Sequence, residues 1–264
     1  MIGLGSYSFF WQLSDRTPDA FDLHDAFAAT RALDVDLFQI CDTESIASAD
    51  DRELASLVDH ARDLALTIEL GTKGLAPEHL RLYLGLAERF DARIVRSMIR
   101  FDERIDSVDA ARTAIESVLD DFAAADVCLA LETYELIDTR SLVDLVASFD
   151  SEHLGICLDP GNVVANYESP REAVELCAPW VRNVHAKDFA FARQEGWVGF
   201  TYSGAPLGTG RHDYAHLLRT VAPRERGINE IVEHWLPWQG DPETTIHTER
   251  EWTATALDYL RSIR

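Results

Sequence analysis

The sequence predicts a single (β/α)₈ barrel that spans residues 1–264 as one domain. Eight short apolar segments rich in β-branched residues alternate with longer segments whose apolar residues recur every three or four positions. The length of 264 residues is typical of one such barrel. No change of composition and no linker rich in Pro or Ser divides the chain, so the alternation of β and α segments runs through one unit.

The predicted strands are IGLGSY at 2–7, VDLFQI at 35–40, LTIELG at 66–71, RIVRSM at 93–98, VCLALE at 127–132, LGICLD at 154–159, VRNVHA at 181–186 and INEIVE at 228–233. Predicted helices between them include DRELASLVDHARDLA, PEHLRLYLGLAERF and SVDAARTAIESVLDDFAAA. A doubly wound sheet is the main competing fold. It would normally carry a Gly-rich phosphate turn after its first strand, and IGLGSYSFFWQ contains no G-x-G-x-x-G.

The charge of the chain limits its partners. The 46 Asp and Glu residues outnumber the 24 Lys and Arg residues, which gives a net charge of −22. Such a surface repels phosphate backbones, so we expect no nucleic acid partner. No long apolar run and no signal peptide are recognisable, so we expect a cytoplasmic protein without a membrane partner. Abundant Asp with only two lysines suggests, as a hypothesis, a surface adapted to high salt, like that of halophiles.

One connection is unusually long. About 25 residues separate His185 from the helix predicted near Tyr214, and loops of this length tend to be functional. Because this loop follows a strand, we expect it at the carboxyl end of the barrel, where active sites form. Aromatic residues concentrate on this loop and on those after the first and last strands, namely Trp11, Trp197, Phe200, Tyr202, Trp235 and Trp238. They could form an apolar wall around a sugar or pack within the protein.

Acids and one histidine stand at the carboxyl ends of four consecutive predicted strands. Glu132, Asp159 and Glu233 end the fifth, sixth and eighth strands, and His185 lies near the end of the seventh. Three buried carboxylates would repel one another unless a divalent cation lay between them. Oxygen and nitrogen ligands favour Mn²⁺, Mg²⁺ or Co²⁺, and Zn²⁺ is compatible. Taken singly, Asp159 could be a turn acid, Glu132 could pair with an arginine and His185 could be a core histidine.

The segments LALETYE, GICLDPGNV, VHAKD, PLGTGRHDY and EIVEHW resemble those of the xylose-isomerase-like superfamily of sugar isomerases, epimerases, inosose dehydratases and endonuclease IV type enzymes. The resemblance implies one divalent metal ion, Mn²⁺ in the first place, held by Glu132, Asp159, His185 and Glu233. It also implies that this metal stabilises an enediolate while Glu132 and Glu233 act as the acid/base pair. The net charge of −22 argues against the endonuclease branch.

The predicted activity is therefore a metal-dependent isomerisation or epimerisation of a keto-sugar, a small carbohydrate substrate. A lyase on the same metal site, a decarboxylase or dehydratase of an oxo-sugar acid or inosose, is the alternative. Both reactions use the same ligands, so the motifs do not separate them. The sequence leaves a homo-oligomer open.

Five further residues complete the predicted site. Asn162 and Tyr134 replace histidines found in many relatives, and both are expected to bind substrate. Lys187 could stabilise an oxyanion in catalysis, bind a substrate carboxylate or form a structural ion pair. Arg100, after the fourth strand, could anchor an anionic substrate or pair with a neighbouring surface acid. Trp11 is expected in the aromatic wall around the substrate.

Overall fold

The computed structural model describes residues 1–102, 104–194, 196 and 198–263. Eight parallel strands of the described chain form the barrel: β1 (Ile2–Gly5), β2 (Leu37–Cys41), β3 (Thr67–Gly71), β4 (Ile94–Ser97), β5 (Cys128–Glu132), β6 (Leu154–Leu158), β7 (Val181–Ala186) and β10 (Asn229–Val232). They close in the order β1-β10-β7-β6-β5-β4-β3-β2. The prediction of a (β/α)₈ barrel is confirmed, and each predicted strand overlaps one of these. That residues 1–264 form one domain stays a prediction.

Helices follow the strands around the barrel: α1 (Leu23–Ala32), α2 (Glu44–Ser48), α3 (Asp51–Asp63), α4 (Pro77–Phe90), α5 (Val108–Ala124), α6 (Thr139–Ala147), α7 (Pro170–Cys177), α8 (Tyr214–Val221) and α9 (Pro242–Ser262). Many begin at an acidic cap. Asp22 and Asp50 each close a capping box with an acid three residues later, and Asp138 accepts a hydrogen bond from the Ser141 amide. Part of the unusual Asp content therefore serves helix initiation.

The long connection after β7 contains a hairpin, which periodicity alone did not reveal. β8 (Asp188–Arg193) pairs antiparallel with β9 (Phe200–Ala205), outside the barrel sheet. The loop that returns to the barrel is tied to one carboxylate. Asp188 Oδ2 accepts hydrogen bonds from the amides of Gly208 (3.0 Å) and Gly210 (2.8 Å).

The two glycines of this loop are needed for different reasons. Gly208 has φ of +86°, which favours glycine. A Cβ atom on Gly210 would lie 2.3 Å from Asp188 Oδ1 and 2.4 Å from the Phe189 carbonyl oxygen, so only glycine lets the loop approach this closely. Gly208 and Gly210 thus allow the loop to wrap closely around Asp188.

Apolar side chains fill the interface between the barrel and its helices, with Phe27, Phe38, Phe122 and Tyr214 among the largest that are fully buried. This core holds the strands in register, so that the chain positions at their carboxyl ends are fixed relative to one another. Within the described ranges, every helix is too short or too polar to cross a bilayer.

Candidate metal centre

Three carboxylates surround one ring nitrogen of His185 at the carboxyl end of the barrel. His185 Nδ1 lies 3.4 Å from Glu132 Oε1, 3.4 Å from Glu233 Oε2 and 3.7 Å from Asp159 Oδ2. All four side chains are buried. Candidate ligand atoms of Glu132, Asp159 and His185 lie within 4.8 Å of one another, so this group could hold a metal ion.

Polar contacts orient the carboxylates of Glu132 and Asp159 towards His185 Nδ1. Glu132 Oε1 accepts from Asn162 Nδ2 at 2.7 Å, while Oε2 forms an ion pair with Arg96 Nε. Asp159 follows β6 directly, and its Oδ1 accepts from the Gly161 amide at 3.0 Å. This turn leaves Asp159 Oδ2 facing His185 and Lys187. The Pro-Gly sequence after Asp159 therefore serves the turn and also orients the side chain.

A divalent cation fits this donor set. In the described part of the protein, neither His185 Nδ1 nor Glu233 Oε1 has a hydrogen-bond partner, although both atoms are buried. Buried polar atoms without partners are costly, and three carboxylates around one point repel each other unless positive charge lies among them. Mixed carboxylate and imidazole ligands suit a divalent ion. The residues present thus fit the metal that the sequence motifs imply.

Lys187 supplies fixed positive charge beside the acids. Its Nζ lies 2.6 Å from Asp159 Oδ2, 3.2 Å from Glu233 Oε2 and 4.2 Å from the centre of the Trp235 ring. Burial lowers the pKa of Lys187, but Asp159 and the nearby glutamates raise it more, so the ammonium stays charged. Burial likewise opposes ionisation of Asp159, yet Lys187 and His185 bring the pKa of that carboxyl below its usual range.

The same acids act on His185. Burial lowers its pKa, whereas Cys157, Glu233 and Glu132 together raise it well above the ordinary value. The imidazole therefore attracts a cation or a proton at Nδ1. Its other nitrogen, Nε2, lies 3.0 Å from Gln39 Oε1 in the barrel interior.

A cavity of about 380 Å³ opens above these residues. Its lining includes three cationic side chains, Lys73, Arg96 and Lys187, and the aromatic rings of Tyr7, Tyr202 and Trp235. Lys73 and Lys187 are the only lysines in a sequence with a net charge of −22. The lining also contains Glu132, Glu135 and Glu233, so the three cations are balanced by an equal number of acids among the described lining residues. Lys73 is the most exposed of these cations, with a side chain that is 45% exposed, so an entering anion can reach it.

The structure brings most of the predicted site residues to this cavity. Glu132, Tyr134, Asn162, Lys187 and Glu233 line it, and Asp159 and His185 lie buried among these side chains. Whether these residues have the predicted roles stays a prediction.

Two predicted substrate-binding residues lie elsewhere. Arg100 is exposed and does not occur among the described residues that line the cavity. Trp11 lines a separate small cavity and donates from its indole Nε1 to the Leu236 carbonyl at 2.7 Å. Of the aromatic residues predicted to form a wall, Trp197 lies outside the described residues, while Tyr202 and Trp235 contact each other at the cavity.

Arg96, and not Arg100, reaches the cavity because of its place in the barrel. It stands within β4, in register with Gly71 and Ala130 on the neighbouring strands, and its side chain is buried at the cavity, whereas Arg100 follows the strand and is exposed. Arg96 Nη1 donates to Asp42 Oδ1 at 2.9 Å, and Lys73 Nζ lies 3.3 Å from Asp42 Oδ2. Sequence reasoning missed Lys73 and Asp42, although a lysine just after a strand in a nearly lysine-free chain was an available signal.

Comparisons with known proteins agree with the fold and add a close relative. A family model for xylose isomerase-like TIM barrels matches residues 27–263. The chain is 48% identical over 259 residues to 3-oxo-isoapionate decarboxylase of Pectobacterium atrosepticum, covering 98% of this chain and 94% of that protein.

Solved structures show the same fold at low identity. D-psicose 3-epimerase of Clostridium cellulolyticum H10, determined with D-tagatose, matches with a TM-score of 0.72 at 14% identity over 99% of this chain and 98% of the epimerase chain. A xylose isomerase-like protein of Mycobacterium smegmatis, in complex with magnesium, matches with a TM-score of 0.66 at 17% identity over 97% and 96% of the two chains. The chain belongs to the xylose isomerase-like TIM barrel family.

Proposed function

We propose that this protein is a metal-dependent lyase that decarboxylates a 3-oxo sugar acid. The observation that carries the proposal is the cavity, in which Lys73, Arg96 and Lys187 stand beside the buried acids and His185. A sugar acid carries a carboxylate that a keto-sugar lacks, and the half-exposed Lys73 at the cavity wall could bind it. The 48% identity to 3-oxo-isoapionate decarboxylase over 98% of the chain supports the same reaction class.

Glu132, Asp159, His185 and Glu233 would hold the metal. A bound divalent ion would act as a Lewis acid that draws electron density from the oxo group of the substrate. We favour Mn²⁺, with Mg²⁺, Co²⁺ and Zn²⁺ as the other candidates, because the donors are three carboxylates and one imidazole.

Cationic side chains of the protein would bind and orient the substrate. Lys73, whose side chain is 45% exposed, lies at the wall of the cavity and can reach an entering carboxylate. Lys187 is held charged next to the acids and can donate a hydrogen bond to the oxo oxygen as negative charge develops there. Tyr202 and Trp235 line the cavity beside Lys187 and would keep water away from the oxo oxygen of a bound substrate.

Loss of CO₂ breaks the bond between the carboxylate and the adjacent carbon and leaves an electron pair on that carbon. One proton from solvent must then reach the carbon, so that the 3-oxo acid and a proton become a ketone and CO₂. Glu233 is suited to deliver it because its Oε1 has no hydrogen-bond partner among the described residues. Glu132 accepts a hydrogen bond from Asn162 at Oε1 and forms an ion pair with Arg96 at Oε2, so it is better suited to hold its place.

This difference between the two glutamates favours the lyase over an isomerase or epimerase. An epimerase of the kind that the motifs predicted uses two carboxylates that exchange protons on opposite sides of one carbon. Glu132 Oε2 is paired with Arg96, whereas Glu233 Oε1 has no hydrogen-bond partner among the described residues, so the two glutamates are not equivalent for that exchange. The likeness to D-psicose 3-epimerase at 14% identity speaks for the fold and not for this activity.

The deciding experiment is product analysis with protein loaded with Mn²⁺. The protein is incubated with a 3-oxo sugar acid and, separately, with common ketoses in D₂O, and both reactions are followed by NMR and by CO₂ release. We expect CO₂ and a deuterated ketone from the acid and no epimer from the ketoses. An epimerised or isomerised ketose without CO₂ from the acid would replace the lyase by the isomerase. Metal-stripped protein is the control.

A further inference from the structure

A series of buried polar side chains, joined by hydrogen bonds, extends from His185 into the barrel interior, away from the cavity. Gln39 Oε1 lies 3.0 Å from His185 Nε2, and Gln39 Nε2 lies 3.1 Å from Glu69 Oε2. Gln39 and Glu69 are neighbours in register on β2 and β3. Both are at most 2% exposed, and neither lines the cavity. Within this pair, Gln39 is the residue that contacts a proposed metal ligand, through its hydrogen bond with His185.

The hydrogen bonds around Glu69 settle which way the Gln39 amide points. Glu69 Oε1 accepts from Asn229 Nδ2 at 2.6 Å, and Oε2 accepts from Asn183 Nδ2 at 2.9 Å. Burial raises the pKa of Glu69, although the hydrogen bonds from these amides lower it. Since both carboxylate oxygens accept from amide groups, the side of Gln39 that faces Glu69 is its NH₂ group. Turning the amide over would place its oxygen against the carboxylate. The Gln39 carbonyl oxygen therefore faces His185.

A carbonyl oxygen only accepts, so His185 must donate to it from Nε2. The proton of the neutral imidazole is then on Nε2, and the lone pair is on Nδ1. Nδ1 is the atom that lies between the three carboxylates. We propose that Gln39, anchored by Glu69, is a positioning residue that holds His185 in the Nε2–H tautomer and so presents Nδ1 to the metal.

This arrangement also fixes the plane of the ring. Asn183 stands two residues before His185 in β7, so its side chain faces the same barrel interior, and its Oδ1 lies 3.3 Å from Gln39 Nε2. Gln39 is thus held at its amide nitrogen by two strands of the barrel. Partners of this kind orient metal-binding histidines and raise their basicity.

The test measures metal affinity, which does not depend on the substrate. Wild type, Gln39→Met and Thr30→Val are stripped of metal and titrated with Zn²⁺ against a chromophoric chelator. Gln39→Met keeps the length of the side chain and removes the acceptor, and we expect affinity to fall by roughly 10- to 100-fold. Thr30→Val removes a buried hydrogen bond to the Ala26 carbonyl within α1 and should bind Zn²⁺ like wild type. Equal affinity of wild type and Gln39→Met would overturn the proposal.

A spectroscopic measurement on the wild-type protein tests the proposed tautomer even if Gln39→Met does not fold. Long-range ¹H–¹⁵N NMR of Zn²⁺-loaded wild type distinguishes the protonated ring nitrogen of His185 from the coordinated one. We expect a protonated Nε2 and a coordinated Nδ1. Coordination of Zn²⁺ by Nε2, or a proton on Nδ1 of the Zn²⁺-loaded protein, would contradict the inference. Neither outcome bears on decarboxylation, so this proposal and the proposed function fail separately.

Discussion

Arg96 and Glu132 form an ion pair in the wall of the cavity, and each residue is 2% exposed. The pair lies on neighbouring strands, β4 and β5, and Arg96 also donates to Asp42 and to the Thr72 carbonyl oxygen. A buried carboxylate whose cation is removed becomes an uncompensated charge. The pair therefore links the stability of the barrel to the position of a proposed metal ligand.

Arg96→Met should destabilise the metal-free protein by about 3–5 kcal/mol, because Glu132 and Asp42 would lose their buried partner. Urea unfolding measures this change. The matched control is Arg104→Met, which removes an exposed ion pair with Glu78 and should change stability little, because solvent screens exposed pairs. Similar small losses for both variants would show that Arg96 does not hold Glu132 in place.

Glu233→Gln should weaken Mn²⁺ binding by more than about tenfold, since even the loss of an outer partner has an effect of that size. It should also abolish turnover at saturating Mn²⁺, because the amide cannot deliver the proton. Isothermal titration and CO₂ release measure the two effects. Exchanging the solvent-exposed Glu243 for Gln in α9 provides the control and should change neither. A fully active Glu233→Gln enzyme would remove Glu233 from the mechanism.

Lys73→Met should lower kcat/KM for a 3-oxo sugar acid roughly tenfold or more, the effect of losing one hydrogen bond to a charged group. The loss should appear mainly in KM, because Lys73 lies at the cavity wall and does not contact the proposed metal ligands. Arg100→Met is the matched control, since Arg100 is an exposed cation outside the cavity lining. If Arg100→Met were the more impaired variant, the predicted anchoring role of Arg100 would be correct and that of Lys73 wrong.

Stability should depend on pH through Glu249. Burial raises its pKa from 4.5 to about 7, although N–H groups of Trp11 and Gln12 lower it. The folded protein thus binds a proton that the unfolded chain has released, and stability falls as the pH rises from about 4.5 to about 7. The slope from this group is at most roughly 1.4 kcal/mol per pH unit.

Urea unfolding of wild type and Glu249→Gln across this range checks the effect of Glu249. Gln cannot ionise, so the variant should gain stability relative to wild type as the pH rises and then stay at a constant difference above about pH 7. Parallel curves for the two proteins would show that Glu249 does not titrate in this window.

The local sequence pattern was sufficient to predict the barrel fold and to predict that acidic residues meet at the carboxyl ends of its strands. Strand and helix periodicities depend on neighbours a few residues away, and a closed parallel barrel necessarily brings consecutive strand ends together. From that geometry alone, Glu132, Asp159, His185 and Glu233 were expected to meet, and they lie around one point. Asp159 and Glu233 follow their strands by one residue, which does not alter this result.

Only the tertiary structure decided which other side chains reach these acids. Arg96 lines the cavity and Arg100 does not, because Arg96 lies within β4, which is in register with strands that carry Gly71 and Ala130, whereas Arg100 follows the strand. Gln39 and Glu69 are 30 positions apart, and both are more than 110 positions from His185 and Asn183, so no local pattern links them. The register between strands is set by the packing of the whole barrel, so it cannot be predicted from the periodicity of the sequence.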